Sequence, residues 1–299
     1  MTVSSTSTGQ ESTSAGQHPM ATGARAVQRV VVRSPDKSDT ADAGVGRRRR
    51  MLEVGLGIAI PVALLALWQV AALTGWVDEK LYPPPSQIAV SAADLVSDGT
   101  LLTHTWISTQ RIFWGFLLGS ISGVAVGLLM GTMQWLRAAL EPMLDALYTI
   151  PKLAILPIFI SMFGIADAPK IAVIAVTVFF FVWIATMSAV LTVAEGYREA
   201  AKTFQATRLQ MFRHVLVPAA LPEIFVGLRI SAGISVLILV AAESVVGADG
   251  LGYLIFNSRA VFLNQQMFVG IVTVSLVGVL FTWIVKYTAA WLTPWVSTD

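Results

Sequence analysis

Six apolar runs of roughly twenty residues, separated by polar segments, constrain this chain more than any other feature. Each can cross a hydrocarbon core about 30 Å thick, because an α-helix rises about 1.5 Å per residue. No water inside a bilayer satisfies a backbone N–H or C=O, so only helices and closed barrels cross it. The alternation of apolar and polar residues that barrel strands require is missing. The sequence therefore predicts an all-α, polytopic helical membrane protein, with six transmembrane helices over about 52–74, 112–133, 143–164, 169–193, 224–246 and 267–291. Composition agrees: 55% of the residues are apolar and 13% charged, about half the charged fraction of an ordinary soluble domain.

The charges that remain give an orientation. Residues 1–46 are rich in Ser, Thr, Gly and Ala and cannot bury a core, so 1–50 reads as a disordered basic tail ahead of one membrane domain over 51–299. No apolar stretch of signal-peptide type falls in the first 30 or so residues. The run Arg47–Arg50 abuts the first span, which by the positive-inside rule places the N-terminus in the cytoplasm. Six crossings bring the C-terminus back to the same side. The inner loops 134–142 and 194–223 then hold Arg137, Arg198, Lys202, Arg208 and Arg213, and the outer segments hold Lys80, Lys170 and Arg259. The absence of cysteine excludes disulfides and thiolate chemistry, and His18, His104 and His214 stand too far apart for a metal site of familiar spacing. A net charge of +2 gives no argument for a nucleic-acid partner.

Several stretches carry more specific signals. In the outer connection 75–111, Pro83, Pro84 and Pro85 enforce an extended chain, and Ile88, Ala92, Leu95 and Val96 then follow the spacing of a short amphipathic helix at the membrane surface. The second span sets Gly115, Gly119, Gly123, Gly127 and Gly131 at intervals of four, a seam along which two helix backbones can approach, within one subunit or between two. In the third span Pro151 and Pro157 each remove a helical hydrogen bond; the break they predict serves either packing or the wall of a pathway. Tyr197, Ala200, Ala201, Phe204 and Arg208 share one side of an amphipathic helix over 196–212, which Pro218 and Pro222 end. Such a helix lies on the bilayer or fills a groove on another protein. Arg208 and Arg213 serve either the positive-inside bias or acidic groups on a partner. Glu243 falls near the outer end of the fifth span, with Gly247, Gly250 and Gly252 just beyond. It is either an interfacial charge that reaches water or a gating residue, accepting N–H groups of the glycine-rich turn or pairing with Arg259. No Gly-rich phosphate loop with Lys and Ser or Thr occurs, so no ATP site is expected in this chain.

Glu199-Ala200-Ala201, followed by Val215-Leu216-Val217-Pro218, resembles the EAA loop of bacterial ABC importer permeases, here about 195–222. The family pattern is Glu-Ala-Ala, three residues, Gly, nine residues, then Ile-x-Leu-Pro; this chain has Gln205 at the glycine. The stretches "TQRIFWGFLLGSISGVAVGLLMG", "IPKLAILPIFISMFGI", "FRHVLVPAALPEIFVGLRISAG" and "AAESVVGADGLGYLIFNSR" together are similar to the permeases of aliphatic sulfonate, taurine and nitrate importers. The resemblance implies a type I importer permease in the bacterial plasma membrane, working as a homodimer with a cytoplasmic ABC ATPase dimer and an extracytoplasmic substrate-binding protein. ATP and Mg would sit on the ATPase, with no catalytic residue, metal or cofactor in this chain. By the same resemblance, Glu199, Ala200, Ala201, Gln205, Arg208 and Pro218 form the ATPase-coupling segment. Pro151, Pro157, Glu243 and Gly250 are the candidates for the pathway or its gate. The implied substrate is a small anion such as an alkanesulfonate, taurine, nitrate or bicarbonate, with a neutral vitamin precursor as the alternative within the class. A self-sufficient secondary transporter would need a proton relay, and a membrane-bound enzyme would need a nucleophile with its base. Neither grouping is visible.

Overall fold

The computed structural model describes residues 37–296, with side chains from Gly55 onward, and every regular element among the described residues is helical. In chain order these are α1 (Lys37–Leu73), α2 (Pro85–Ser97), α3 (Thr100–Thr132), α4 (Gln134–Tyr148), α5 (Leu156–Phe163), α6 (Asp167–Leu191), α7 (Glu195–Thr203), α8 (Arg208–Gln210), α9 (Val217–Val245), α10 (Leu251–Ala260) and α11 (Asn264–Leu292). Five continuous helical stretches are long and apolar enough to cross a membrane, and a sixth crossing results if the bent pair around residue 150 counts as one span.

Helix α1 starts upstream of the expected boundary, so residues 37–50 continue it instead of belonging to an unstructured tail. Once a span nucleates a helix, each further residue adds a hydrogen bond at little extra cost. The rest of the expected tail, residues 1–36, lies outside the described residues. The second span also begins at Thr100, twelve residues ahead of its expected start at about 112, so the end of the outer connection is helical. Helix α2 does not lie only at a membrane surface: Ile88 and Leu95 are buried in a cluster with Leu101, Leu251, Leu254 and Val269. An apolar stripe is satisfied by protein as readily as by lipid, and periodicity alone does not tell the two apart.

The third span is broken. Helix α4 and the segment Lys152–Phe163 meet at 88°. Thr149–Pro151 forms the corner, and the Lys152 ammonium donates to the carbonyls of Leu147 (3.1 Å), Tyr148 (2.6 Å) and Ile150 (2.9 Å), at the end of α4 and in the corner. Pro157 stands in the first turn of α5, where its missing N–H has no partner to lose. Pro151 accompanies the break, and Pro157 starts the next helix instead of kinking one.

From Pro61 onward the chain forms one unit, centred on α3, α6 and α9. The glycine ladder packs α3 on α6, which places the seam within the subunit. A Cβ on Gly119 would lie 2.4 Å from the Ala175 carbonyl oxygen, and one on Gly123 would lie 2.8 Å from that of Phe179. Level with Gly123 and Gly127, Trp183 is fully buried and its indole N–H points at the Met130 sulfur, 3.1 Å away. Helix α11 keeps Leu276, Leu280 and Trp283 exposed, an apolar surface suited to lipid or to a second chain.

Candidate functional site

The sequence around the Glu-Ala-Ala motif folds as two short pieces, which corrects the continuous helix expected over 196–212. Helix α7 ends at Thr203, and two residues on Gln205 takes a left-handed φ of +55°. The Gln205 N–H donates to the Lys202 carbonyl (2.9 Å) and the Ala206 N–H to that of Ala201 (3.0 Å), the bond pair of a Schellman stop. A residue with a Cβ in this conformation costs about 1–2 kcal/mol, which explains why relatives with glycine here would suit the same turn. Thr207 then opens the next piece with a capping box: its hydroxyl accepts from the Gln210 N–H (3.3 Å), and the Gln210 side chain accepts from the Thr207 N–H (2.8 Å). From Arg208 the chain runs on through a π-helical turn at Met211–Leu216 into α9, so Pro218 and Pro222 do not end the helix as expected. Pro218 cannot donate to the carbonyl four residues back, and the wider π turn directly before it accommodates that loss.

Glu199, Ala200, Gln205 and Arg208 are exposed, and Ala201 is buried against its own chain. Tyr197, Phe204 and Leu209 are large apolar side chains left facing out. Beside them runs a groove of about 770 Å³ lined by Ala200, Phe204, His214, Pro218 and Trp295, among others. Arg198 ties the segment to the end of α6 by donating to the Val190 carbonyl at 2.7 Å.

At the opposite end of α9 lies a buried ion cluster. Arg111, on α3 and 2% exposed, reaches carboxylates from three directions. Its Nη1 donates to Glu243 Oε1 (2.7 Å) and to the Asp249 carbonyl (3.1 Å), its Nε donates to Asp167 Oδ1 (2.8 Å), and its Nη2 pairs with both Asp167 and Asp249. Glu243, 1% exposed, also accepts the Gly252 N–H (2.8 Å) and lies 2.9 and 3.0 Å from the Ser108 hydroxyl, which in turn accepts the Leu251 N–H at 2.8 Å. The Gly250 N–H donates to His104 Nδ1 (2.9 Å). A side chain at Gly250 would fail twice: its φ is +100°, and a Cβ would lie 2.2 Å from Glu243 Oε1. Burial alone would raise the Asp249 carboxyl, but the Arg111 and Lys170 cations outweigh it and hold it below the usual carboxylate range.

The structure thus brings Glu243 and Gly250 together. The cation of Glu243 is Arg111, not Arg259, and Glu243 does not reach water. Pro151 and Pro157 lie apart, at the broken span. Arg111, Asp167, Lys170 and Asp249 were missed. Arg111 falls in turns assigned to a connection, and Lys170 was counted as an outer-loop charge although it is 3% exposed. The only available signal was the proximity of these charges to span ends.

A bundle of membrane-length helices with one broken span and an exposed Glu-Ala-Ala segment at one end has the architecture of a transport permease. Residues 115–294 match the family of binding-protein-dependent transport system inner membrane components, and the chain belongs to it. It is 36% identical over 74% of its length to SsuC of Bacillus subtilis, named as an aliphatic sulfonates transport permease protein, and covers 80% of that protein. It is 33% identical to the nitrate import permease protein NrtB of Leptolyngbya laminosa over 77% of this chain and 85% of that one. To the taurine transport system permease protein TauC of Escherichia coli it is 29% identical over 81% and 90% of the two chains. Among solved structures, an inward-facing form of the MetNI methionine ABC transporter shares the fold at a TM-score of 0.57 and 21% identity, covering 65% of this chain and 96% of that one. The protein is accordingly a multi-pass inner-membrane permease subunit of an ABC importer for small solutes.

Proposed function

We propose that this subunit translocates a small anion, an alkanesulfonate, taurine, nitrate or bicarbonate, by alternating access as a homodimer with both termini cytoplasmic. A partner ABC ATPase dimer holds ATP and Mg, and an extracytoplasmic binding protein delivers the solute. The observation that carries the reading is the docking segment: the exposed face of Tyr197, Ala200, Phe204 and Leu209 beside the Glu-Ala-Ala motif has the small and aromatic surface that a groove on a soluble partner covers. The names of the sulfonate, nitrate and taurine relatives support the substrate class.

The test is reconstitution of the permease with its ATPase and binding protein in vesicles, with ethanesulfonate as solute and Ala200→Glu as the variant. Ala200 is exposed, so the substitution spares the fold, whereas Ala201 is buried within the subunit. An unpaired carboxylate forced into an apolar interface costs several kcal/mol, of the order of a modest interface's whole affinity. Wild type should accumulate solute only with ATP, and Ala200→Glu should lose both uptake and co-purification of the ATPase. Uptake driven by an ion gradient alone, or a fully coupled Ala200→Glu complex, refutes the reading.

A further inference from the structure

Lys170 has no evident reason to be where it is. It lies in the first turn of α6, where the helix dipole disfavours a cation, and it is 3% exposed. Its ammonium makes no hydrogen bond among the described residues. The nearest carboxylate, Asp249 Oδ1, is 3.8 Å away, beyond hydrogen-bond reach. That same Asp249 carboxylate pairs with Arg111, so it sits between two buried cations.

The three carboxylates around Arg111 are not equivalent. Glu243 is dry and fixed by Gly252 and Ser108, whereas Asp167, the first residue of α6, has a side chain 59% exposed. Asp249 stands in the irregular turn between α9 and α10 and is 43% exposed. Water reaches both aspartates, but Asp249 is the one that pairs with Arg111 and also stands 3.8 Å from Lys170, so it is the arm whose place between the two cations a solute can take. A guanidinium fork with an ammonium beside it binds sulfonate, nitrate or carboxylate oxygens by the same contacts it gives an aspartate.

We propose that Arg111 and Lys170 form an oxyanion site for the transported solute, held in this structure by the chain's own Asp249. The inference rests on the function proposed above and assigns that function a site. Two cations and three carboxylates leave the cluster with one net negative charge. Replacing Asp249 by a monoanion keeps that charge, and a dianion adds to it. The site therefore favours monoanions over sulfate, and its occupation frees the turn that carries Asp249.

Because the chain has no cysteine, one reporter can be placed cleanly. Ala248 is exposed, next to Asp249, and Ala248→Cys carrying an environment-sensitive fluorophore reports movement of the turn in the complete transporter complex. Titration with ethanesulfonate should give a saturable emission change, and sulfate at equal concentration should give none. In the Asp249→Asn background the half-saturating ethanesulfonate concentration should fall about tenfold, since an internal competitor is gone. Misfolding does not tighten binding, so this variant guards against a trivial loss. Lys170→Met, checked for retained ATPase co-purification, should abolish the response. An unchanged midpoint in Asp249→Asn, a wild-type titration in Lys170→Met, or an equal response to sulfate overturns the site. ATP-driven ethanesulfonate uptake by the unlabelled wild type separates the two claims. Uptake without a fluorescence response overturns the site alone, and a response without uptake supports the site while refuting the proposed transport.

Discussion

Alanine substitution along the glycine ladder should give stability changes of both signs, in an order fixed by what each new Cβ meets. A glycine in a helix interior costs about 0.5–1 kcal/mol relative to alanine, so Gly→Ala is stabilising wherever space allows. Gly233 on α9 has nothing within 4 Å, and Gly233→Ala should gain roughly that amount. At Gly119 the methyl would lie 2.4 Å from the Ala175 carbonyl oxygen and 3.0 Å from the Phe179 nitrogen, both backbone, so α3 and α6 would have to separate. Overpacking of this kind costs about 1–3 kcal/mol and outweighs the helix gain, for a net loss of about 1–2 kcal/mol. Gly131 meets Val190, whose Cβ would lie 2.7 Å away; side-chain rotation does not move that atom, so the helices must part there too, but by less than the 2.4 Å approach at Gly119 demands. The predicted order of stability is Gly233→Ala, wild type, Gly131→Ala, Gly119→Ala, read as midpoints of thermal unfolding in detergent, with Gly123→Leu too disruptive to assemble. A Gly119→Ala protein as stable as Gly233→Ala would refute the close backbone contact of α3 with α6.

Substitutions at two further positions address the turn after α7 and the ion cluster. Gln205→Gly should relieve the left-handed strain of about 1–2 kcal/mol, partly offset by the freer unfolded chain, for a net gain of about 0.5–1 kcal/mol; Gln205→Val should destabilise, and thermal midpoints in the opposite order would exclude the observed turn. At Glu243, Gln keeps one acceptor oxygen for the Gly252 N–H and the Ser108 hydroxyl but turns its NH2 toward Arg111, whereas Ala leaves that N–H and part of Arg111 unpaired, a loss of about 3–5 kcal/mol. Stability and coupled uptake should therefore fall from wild type to Glu243→Gln to Glu243→Ala, and equal values for all three would show that the ion cluster contributes nothing.

Periodicity carried the parts of this fold that depend on one helix at a time. The glycines at intervals of four and the apolar spans repeat along a single element, so they are legible before any tertiary contact is known. The turn at Gln205 was concealed because glutamine is an ordinary helix residue and only the family's glycine hinted at a left-handed position. Arg111 was concealed for a different reason: its partners stand at 167, 243 and 249, and no local pattern connects them. A charge near a span end reads as interfacial, and only packing shows that three helices and a turn close over it.

The two candidate sites are joined by one rod. The helix from Arg208 to Val245 runs 38 residues, about 57 Å at 1.5 Å per residue, from the docking segment to Glu243. Helices α3 and α6 contact through backbone along the glycine ladder, so they cannot slide past one another without a clash. Helix α9 also packs on α6 at Gly227, where a Cβ would lie 2.3 Å from that of Ala185, but at that one glycine instead of along a ladder, so under the alternating access proposed above α9 is the partner freer to move. Arg111 on α3, Asp167 on α6 and Glu243 on α9 lie across that joint. A long guanidinium side chain can exchange carboxylates as the rod shifts, whereas glycine packing offers no second arrangement. Under that mechanism the stiff seam would fix which helices move together, and the ion cluster would sit where they move apart.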